Sequence, residues 1–201
     1  MSDYYKKSSL FILFQFTSIP ISLTLSAINY IFIFEKNIAV INLLPSFMVS
    51  YFFADIMSGF IHWAGDNLGD EKTPFFGNSI VKPFRLHHEN PRLMCRISIW
   101  ENIGTSFFLI IPPQIFLHYV MIKAPHFNLS PEAFFTIQNF FIFTALTNLF
   151  HRWAHMPPDE LNLLIRTLQN YGLILNPKDH RKHHQGEFDQ GYCVTNGWAN
   201  M

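Results

Sequence analysis

The sequence predicts an all-α integral membrane protein with about four transmembrane helices and a His-rich helical cap on the cytoplasmic side. Hydrophobic residues make up 49% of the 201 residues, and only 14% are charged. Four long stretches with one charged residue at most hold much of this apolar character, and a helix needs roughly 20 apolar residues to cross a bilayer. Ten His stand beside fourteen Asp and Glu, so the chain has more imidazole than a core of this size requires.

The charge balance excludes several classes of protein. Lys plus Arg and Asp plus Glu both number 14, so the chain has neither the basic surface of a nucleic-acid-binding protein nor an acidic disordered tail. Cys95 and Cys193 are too few for a disulfide framework. We therefore expect a membrane environment and no nucleic-acid partner.

The predicted spans follow one another along the chain. The first has no charged residue from Ser8 to Phe34, which is too long for the apolar core of a signal peptide. Asp55 is the only charge in the second span, and the fourth run ends directly at His151. Buried helices of a soluble bundle can look similar, but four such runs in one short chain favour a membrane. The spans are predicted at about residues 8–34, 37–64, 99–122 and 133–153.

Residues 1–201 are expected to form a single domain, in which an amphipathic helix and a His-rich tail follow the spans. Leu161, Leu164 and Leu168 repeat at helical spacing. A helix lying at the membrane surface is therefore predicted at about residues 159–171, and the tail at 176–201.

Positive charge predicts the orientation in the membrane. With four spans, the N-terminus, the loop after the second span and the C-terminus share one side. These segments contain every Lys and Arg of the chain except Lys36 and Lys123. An excess of cations marks the cytoplasmic side. The N-terminus, the His-rich segments and the C-terminus are therefore predicted there, in a bacterial inner membrane or the endoplasmic reticulum.

Four short motifs contain all of the His residues except His118 and His126, for which we expect ordinary structural roles. Spacings of three or four residues place side chains on one face of a helix, so three of the motifs can present converging imidazoles. Adjacent His side chains point about 100° apart on a helix, so the two residues of the adjacent pair either bind different metals or one of them supports a ligand instead. The motifs are HWAGD with His62 and Asp66, FRLHHENP with His87 and His88, HRWAH with His151 and His155, and HRKHH with His180, His183 and His184.

The ligand type predicts a pair of metal ions. Eight imidazoles exceed the needs of one tetrahedral zinc ion, whereas two metals with four or five ligands each would use them together with Asp66. His-rich sites without thiolates suit iron that reduces oxygen. Arg152 stands where a zinc protease would have its Glu, so proteolysis is not expected. An isolated His pair is more often a packing feature than a ligand pair, but four motifs on one predicted side favour a site.

Two polar residues are predicted to support the ligands. Asp55 lies within the second span, seven residues before His62 and on its helical face. An acidic group within a membrane indicates a functional site, so Asp55 is expected to accept a hydrogen bond that orients His62. Asn148 lies three residues before His151 and is expected to contact a ligating imidazole.

These motifs together resemble the Kua/CarF-type lipid desaturase family, which includes plasmanylethanolamine desaturase and a plant plastid phosphatidylglycerol desaturase. The similarity covers about residues 50–201 and is most specific in HRKHHQGEFDQGYCVTNGWAN. It implies one lipid desaturase domain with two non-haem iron ions, O2 as co-substrate, and no catalytic residue apart from the metal site. It further implies a supporting role for Asn200 and metal-ligand roles for His62, Asp66, His87, His88, His151, His155, His180, His183 and His184.

The resemblance implies that the enzyme introduces a double bond into an alkyl-ether or acyl chain of a phospholipid, in a plasmanyl-to-plasmenyl type of reaction. No haem or flavin motif is present, so electrons must come from a b-type cytochrome or from a ferredoxin with its reductase. A lipid hydroxylase on the same scaffold and a non-enzymatic membrane metal-binding protein are the alternatives.

Two features depart from the animal members of the family. Glu187 and Phe188 follow the last His motif, where animal members resemble HHxxPH, so the pattern is closer to the plant one. The chain also ends at Met201, where relatives continue, which implies a fragment or a short variant.

Overall fold

The computed structural model describes residues 9–74, 77, 81–185 and 187–200. In these ranges the chain forms eight α-helices and no β-strand. Short 3₁₀ turns at Pro125–Phe127 and Pro158–Glu160 precede α6 and α7. The helices are α1 (Ser9–Phe34), α2 (Val40–Asn67), α3 (Lys82–Glu89), α4 (Leu93–Arg96), α5 (Ile99–Lys123), α6 (Pro131–Ala154), α7 (Leu163–Asn170) and α8 (Pro177–His183).

Four of these helices are long and apolar enough to cross a membrane, which confirms the predicted all-α class. Large apolar side chains such as Phe53, Phe60 and Phe116 are exposed on them, as expected for surfaces that face lipid rather than water. Lys6 and Lys7, which contributed to the predicted orientation, lie outside the described residues, and the orientation stays a prediction. The four candidate spans are Phe11–Phe34, Val40–Asn67, Ile99–Lys123 and Pro131–Ala154.

The chain divides into two compact units. The first comprises Met1–Tyr51 and Ile99–Leu146, and the second comprises Phe52–Ser98 and Thr147–Met201. The helices α2 and α6 each contribute residues to both units.

Polar side chains join α1 to α5 in the first unit. Ser18 Oγ donates a hydrogen bond of 2.7 Å to the carbonyl of Gly104, where the backbones approach so closely that a Cβ would lie 2.6 Å from the Gln15 carbonyl oxygen. Ser22 Oγ donates to Gln114 Oε1 at 2.9 Å. Buried hydrogen bonds of this kind bring transmembrane helices into close contact. The first span is therefore joined to α5 by specific contacts and is more than a hydrophobic anchor.

An apolar cluster packs beside these polar contacts in the same unit. Ile33 of α1 is completely buried in this cluster, which also includes residues of α5 and α6. Its other buried members are Leu117, Val120, Met121, Ala124 and Phe134.

The second unit contains the shorter helices, and its apolar core includes Ala154, Leu175 and Val194. The surface helix predicted at 159–171 is shorter in the structure, because the side chain of Asn162 accepts a hydrogen bond from the backbone nitrogen of Ile165 and caps α7 at its start. A 3₁₀ turn occupies Pro158–Glu160 instead. Polar side chains such as Asp55, His62 and His183 are also buried in this unit.

Candidate metal centre

The second unit brings together every His of the four motifs. The carboxyl-terminal end of α2 positions His62 and Asp66, and α3 positions the adjacent His pair of the loop. His151 is in the last turn of α6. His155 follows the end of that helix, and His184 caps α8.

The imidazoles form two groups that each have the composition of a metal site. In each group, one ring nitrogen per residue lies within 4.8 Å of one ring nitrogen from every other member. His87 belongs to both groups. The first group is His87, His151, His155, His180 and His184, and the second is His62, His87, His88 and His183.

Ring nitrogens converge in the first group in a way that hydrogen bonds cannot satisfy. His180 Nε2 lies 2.8 Å from His151 Nε2, 2.9 Å from His155 Nε2 and 3.1 Å from His184 Nε2. A neutral imidazole nitrogen has either one proton or one lone pair, so one atom cannot pair with three others. Lone pairs that converge on one point suit a bound cation.

Three imidazoles are oriented by backbone carbonyls. Nδ1 of His62 contacts the Tyr192 carbonyl oxygen at 3.2 Å, and Nδ1 of His183 contacts the Gln190 carbonyl oxygen at 2.6 Å. His87 Nδ1 contacts the carbonyl of Phe84 in the same way. A carbonyl only accepts, so each Nδ1 is the donor and each Nε2 has a free lone pair.

The Nε2 atoms of His62, His87 and His183 are buried and have no hydrogen-bond partner in the described part of the chain. Buried polar atoms are normally paired. Metal-ligating His residues typically donate their other ring N–H to a carbonyl or carboxylate. The arrangement at His62, His87 and His183 is therefore the one expected of metal ligands.

Asp66 lies among the members of the second group. Its Oδ1 contacts His88 Nε2 at 2.9 Å, and its Oδ2 lies 3.4 Å from His62 Nε2 and 3.6 Å from His183 Nε2. The side chain is 9% exposed. A carboxylate in this position offers negative charge to a cation held by the neighbouring imidazoles.

Burial favours the neutral form of four imidazoles outside the membrane spans, because it lowers their pKa values. Removal from water lowers the pKa of His87 and His180 well below its ordinary value. The same effect, with neighbouring imidazoles adding to it, lowers the pKa of His155 to about 3 and that of His184 to about 4. Neutral imidazole is the form that binds metals.

The HRKHH motif divides between the groups, which the sequence interpretation did not anticipate. The spacing predicted three imidazoles on one face, but His180 and His184 belong to the first group and His183 to the second. The helix α8 ends at His183, and adjacent residues point in different directions. The two adjacent His residues of α3 also differ from each other, because His87 belongs to both groups and His88 only to the second.

The expected hydrogen bond between Asp55 and His62 is not formed, and the prediction of this contact is wrong. Its carboxylate accepts four hydrogen bonds of 3.0 Å from backbone nitrogens, all in the C-terminal segment, which we define as residues 190–200. Asp55 is completely buried. It therefore holds the segment whose Tyr192 carbonyl contacts His62, and acts on that ring through the backbone. The donors are Thr195, Asn196, Gly197 and Ala199.

The structure describes the surroundings of Asn200 and Asn148, the other two residues predicted to support the ligands. Asn200 closes the C-terminal segment on itself, because its side chain accepts from the nitrogen of Cys193 at 2.8 Å and donates to the carbonyl of Cys193 at 2.7 Å. Asn148 is half-buried on α6, one turn before His151. Its contact with an imidazole stays a prediction.

Arg152 is a structural contributor that sequence reasoning missed. Its buried guanidinium donates to the carbonyls of Met94, Cys95 and Ile97 at 2.7 to 2.8 Å, where α4 ends. Helix ends leave carbonyls without partners, and this cation satisfies three of them. A charged residue between two ligand His of one motif was the available signal. The Phe84, Gln190 and Tyr192 carbonyls had no signal in the sequence.

Known proteins with similar sequences are lipid desaturases. A family model for the lipid desaturase domain matches residues 51–201. The chain is 34% identical over 158 residues to plasmanylethanolamine desaturase of Myxococcus xanthus, covering 79% of this chain and 54% of that protein. It is 31% identical over 157 residues to plasmanylethanolamine desaturase 1 of Mus musculus, covering 73% and 55%.

A plant protein matches at a similar level. Fatty acid desaturase 4, chloroplastic, of Arabidopsis thaliana is 32% identical over 152 residues, covering 75% of this chain and 45% of that protein. The chain thus spans about half the length of the curated relatives it matches. No solved structure matches the chain significantly.

Proposed function

The chain belongs to the lipid desaturase family, and from this premise we propose that it is a membrane-bound, O2-dependent, non-haem di-iron oxidoreductase. The proposed reaction introduces a double bond into an alkyl-ether or acyl chain of a phospholipid, of the plasmanyl-to-plasmenyl type. Relatives named as plasmanylethanolamine desaturases support the ether chain, and the plant relative named as a fatty acid desaturase supports the acyl chain.

The observation that supports the proposal most strongly is the pair of imidazole groups that share His87. Imidazole suits iron, and two adjacent sites suit a pair of ions. We propose the five His of the first group as ligands of one iron. For the other, we propose His62, His88 and His183 with Asp66, and with His87 available to either ion.

The reaction must balance in electrons and protons. A saturated chain loses two hydrogens, O2 becomes two waters, and the remaining two electrons and two protons come from outside. When bound, the iron ions would supply the oxygen activation that breaking an unactivated C–H bond requires. We propose a b-type cytochrome, or a ferredoxin with its reductase, as the electron donor.

The residues of the chain prepare the site for this chemistry. The carbonyls of Tyr192 and Gln190 hold the His62 and His183 rings with Nε2 available, so those ligands need no reorientation when metal binds. His62, His151 and His183 are buried, which limits access of bulk water to their side of the site.

We propose that one lipid desaturase domain performs the reaction as a multi-pass membrane protein. The cations outside the spans support the orientation, with the N-terminus, the His motifs and the C-terminus on the cytoplasmic side. The membrane is then a bacterial inner membrane or the endoplasmic reticulum.

The direct test is to purify the full chain after iron-replete expression, measure its metals, and analyse lipids with and without O2. We expect two irons per chain and a product that lacks two hydrogens. The control is His126→Ala, because His126 is exposed and outside both groups. A product with one added oxygen would instead identify a hydroxylase, and one zinc with no iron would contradict the di-iron proposal.

A further inference from the structure

A cavity of about 720 Å³ lies in the second unit, beside the first imidazole group. His155, His180 and His184 form part of its wall. The cavity therefore gives a molecule of small size access to the metal-ligating residues themselves.

The lining of this cavity is also positively charged. Arg92, Arg166, Lys178 and Arg181 line the cavity, and the described lining contains no Asp or Glu. Arg92 is paired with Glu160 at 2.5 Å. The other three cations are exposed and form no ion pair with the described residues. Three unpaired cations around one cavity favour an anionic ligand.

The helix α7 borders the same cavity and has the features of a helix at a membrane surface. Arg166 and Gln169 line the cavity. Leu163 and Leu164 are 76% and 66% exposed, and Tyr171, just beyond the helix, is 78% exposed. An amphipathic helix with exposed Leu and Tyr beside basic residues is typical of the boundary between headgroups and acyl chains. The cavity is thus suited to receive a molecule from the headgroup layer.

We propose that this cavity binds the phosphate of the substrate phospholipid through Arg166, Lys178 and Arg181. The proposal rests on the proposed function and specifies how the substrate is held. Arg binds phosphate oxygens through paired N–H groups, and Lys adds a point charge. Because His155, His180 and His184 line the same cavity, the cations hold the glycerol end of the lipid beside the proposed metal ligands.

An acidic electron-donor protein is the other class of partner that cations attract. A stable protein interface buries about 800 Å² on each partner. The unpaired cations here surround a concave space that suits a headgroup better than such a surface. The exposed apolar residues of α7 also favour a lipid, because such residues can enter the boundary between headgroups and acyl chains.

The test compares lipid binding by the full chain in detergent micelles before and after three cations are removed together. The variant is Arg166→Gln/Lys178→Gln/Arg181→Gln. The matched control is Lys182→Gln, which removes an exposed cation that is next to Arg181, is paired with Asp179 and does not line the cavity. The probes are a dihexanoyl phospholipid, uncharged dihexanoylglycerol and inorganic phosphate.

We expect the triple variant to bind the phospholipid at least about tenfold more weakly, with dihexanoylglycerol binding unchanged. The control should bind all three probes as the unmodified chain does. Iron content and the thermal unfolding midpoint should not change, because these cations are exposed. Arg166→Lys, which keeps the charge, should lose less affinity than Arg166→Gln.

Three results would overturn the proposal. The first is undiminished phospholipid binding by the triple variant. The second is inorganic phosphate binding as tightly as the phospholipid, which would indicate a free-phosphate site. The third is undiminished lipid binding with slower electron transfer from an acidic donor, which would indicate protein docking. Phospholipid binding is also measured on metal-free protein. This measurement tests the phosphate site even if the chain does not bind two iron ions.

Discussion

The Oδ1 atom of Asp55 accepts a hydrogen bond of 3.0 Å from the backbone nitrogen of Thr195, which joins the middle of α2 to the C-terminal segment. The same carboxylate accepts three more backbone hydrogen bonds from this segment. Four donors satisfy a buried carboxylate without a cation. The segment they hold provides the carbonyls that contact His62 and His183.

Asp55→Asn is expected to loosen the C-terminal segment. The amide keeps the volume of the carboxylate but replaces one acceptor oxygen with a donor, which cannot pair with a backbone N–H. We expect faster hydrogen exchange at residues 194–199 and iron affinity lower by about 10- to 100-fold, since loss of groups that orient metal ligands has effects of this size. The control is Asp179→Asn, an exposed residue on α8. Unchanged exchange would show that the carboxylate does not hold the segment.

Removal of one imidazole from either group is expected to remove the iron of that group. His155 belongs only to the first group and His183 only to the second. His155→Ala and His183→Ala should therefore each retain about one iron per chain, and the double variant none, while none of the three forms product. Metal analysis of protein that still inserts into the membrane measures this. If His155→Ala kept both ions and full activity, the first group would not be a metal site.

Arg152→Gln is expected to destabilise the protein through its contacts with α4. The variant leaves buried carbonyls of Met94, Cys95 and Ile97 without their charged donor. Loss of such bonds costs about 3 kcal/mol in the free energy of unfolding. Arg152→Lys should be intermediate, because an ammonium lacks the planar fork that reaches three carbonyls. Denaturant unfolding in micelles measures both, and equal stability of all three proteins would contradict the assignment.

Gly59→Ala is expected to separate α2 from the C-terminal segment. A Cβ at Gly59 would lie 2.5 Å from the Cys193 Sγ atom and 3.3 Å from the Cys193 nitrogen. The double variant Gly59→Ala/Cys193→Ala removes the first clash and leaves the second. It should therefore recover part of the thermal stability that Gly59→Ala loses. Equal unfolding midpoints for the single and double variants would indicate that the backbone contact dominates and that the thiol is unimportant.

The sequence could predict which His residues lie together, because it shows their spacing along the helices and the side of the membrane on which each motif is expected. His62 with Asp66, and His151 with His155, are four residues apart, and such pairs share a helical face wherever the helix lies. The His of all four motifs do lie together in the second unit. The four long helices could be predicted because charged residues are scarce in each run.

The assignment of each imidazole to a group could not be predicted in the same way. It depends on where α8 ends, so that His183 and His184 point into different groups. Asp55 was assigned to the wrong neighbour because its true partners are backbone N–H groups far along the chain, which have no side-chain signature. The polar contacts of α1 were missed for another reason, since Ser22 within an apolar run reveals no partner.

The shared position of His87 makes the two imidazole groups unequal. Its Nδ1 is engaged by the Phe84 carbonyl, so it has one lone pair and can bind one ion at a time. An ion in the first group has four other imidazoles, whereas an ion in the second has three together with Asp66. If both groups bind iron, as we propose, the two ions would therefore have unequal ligand sets, and His87 could bind only one of them at a time.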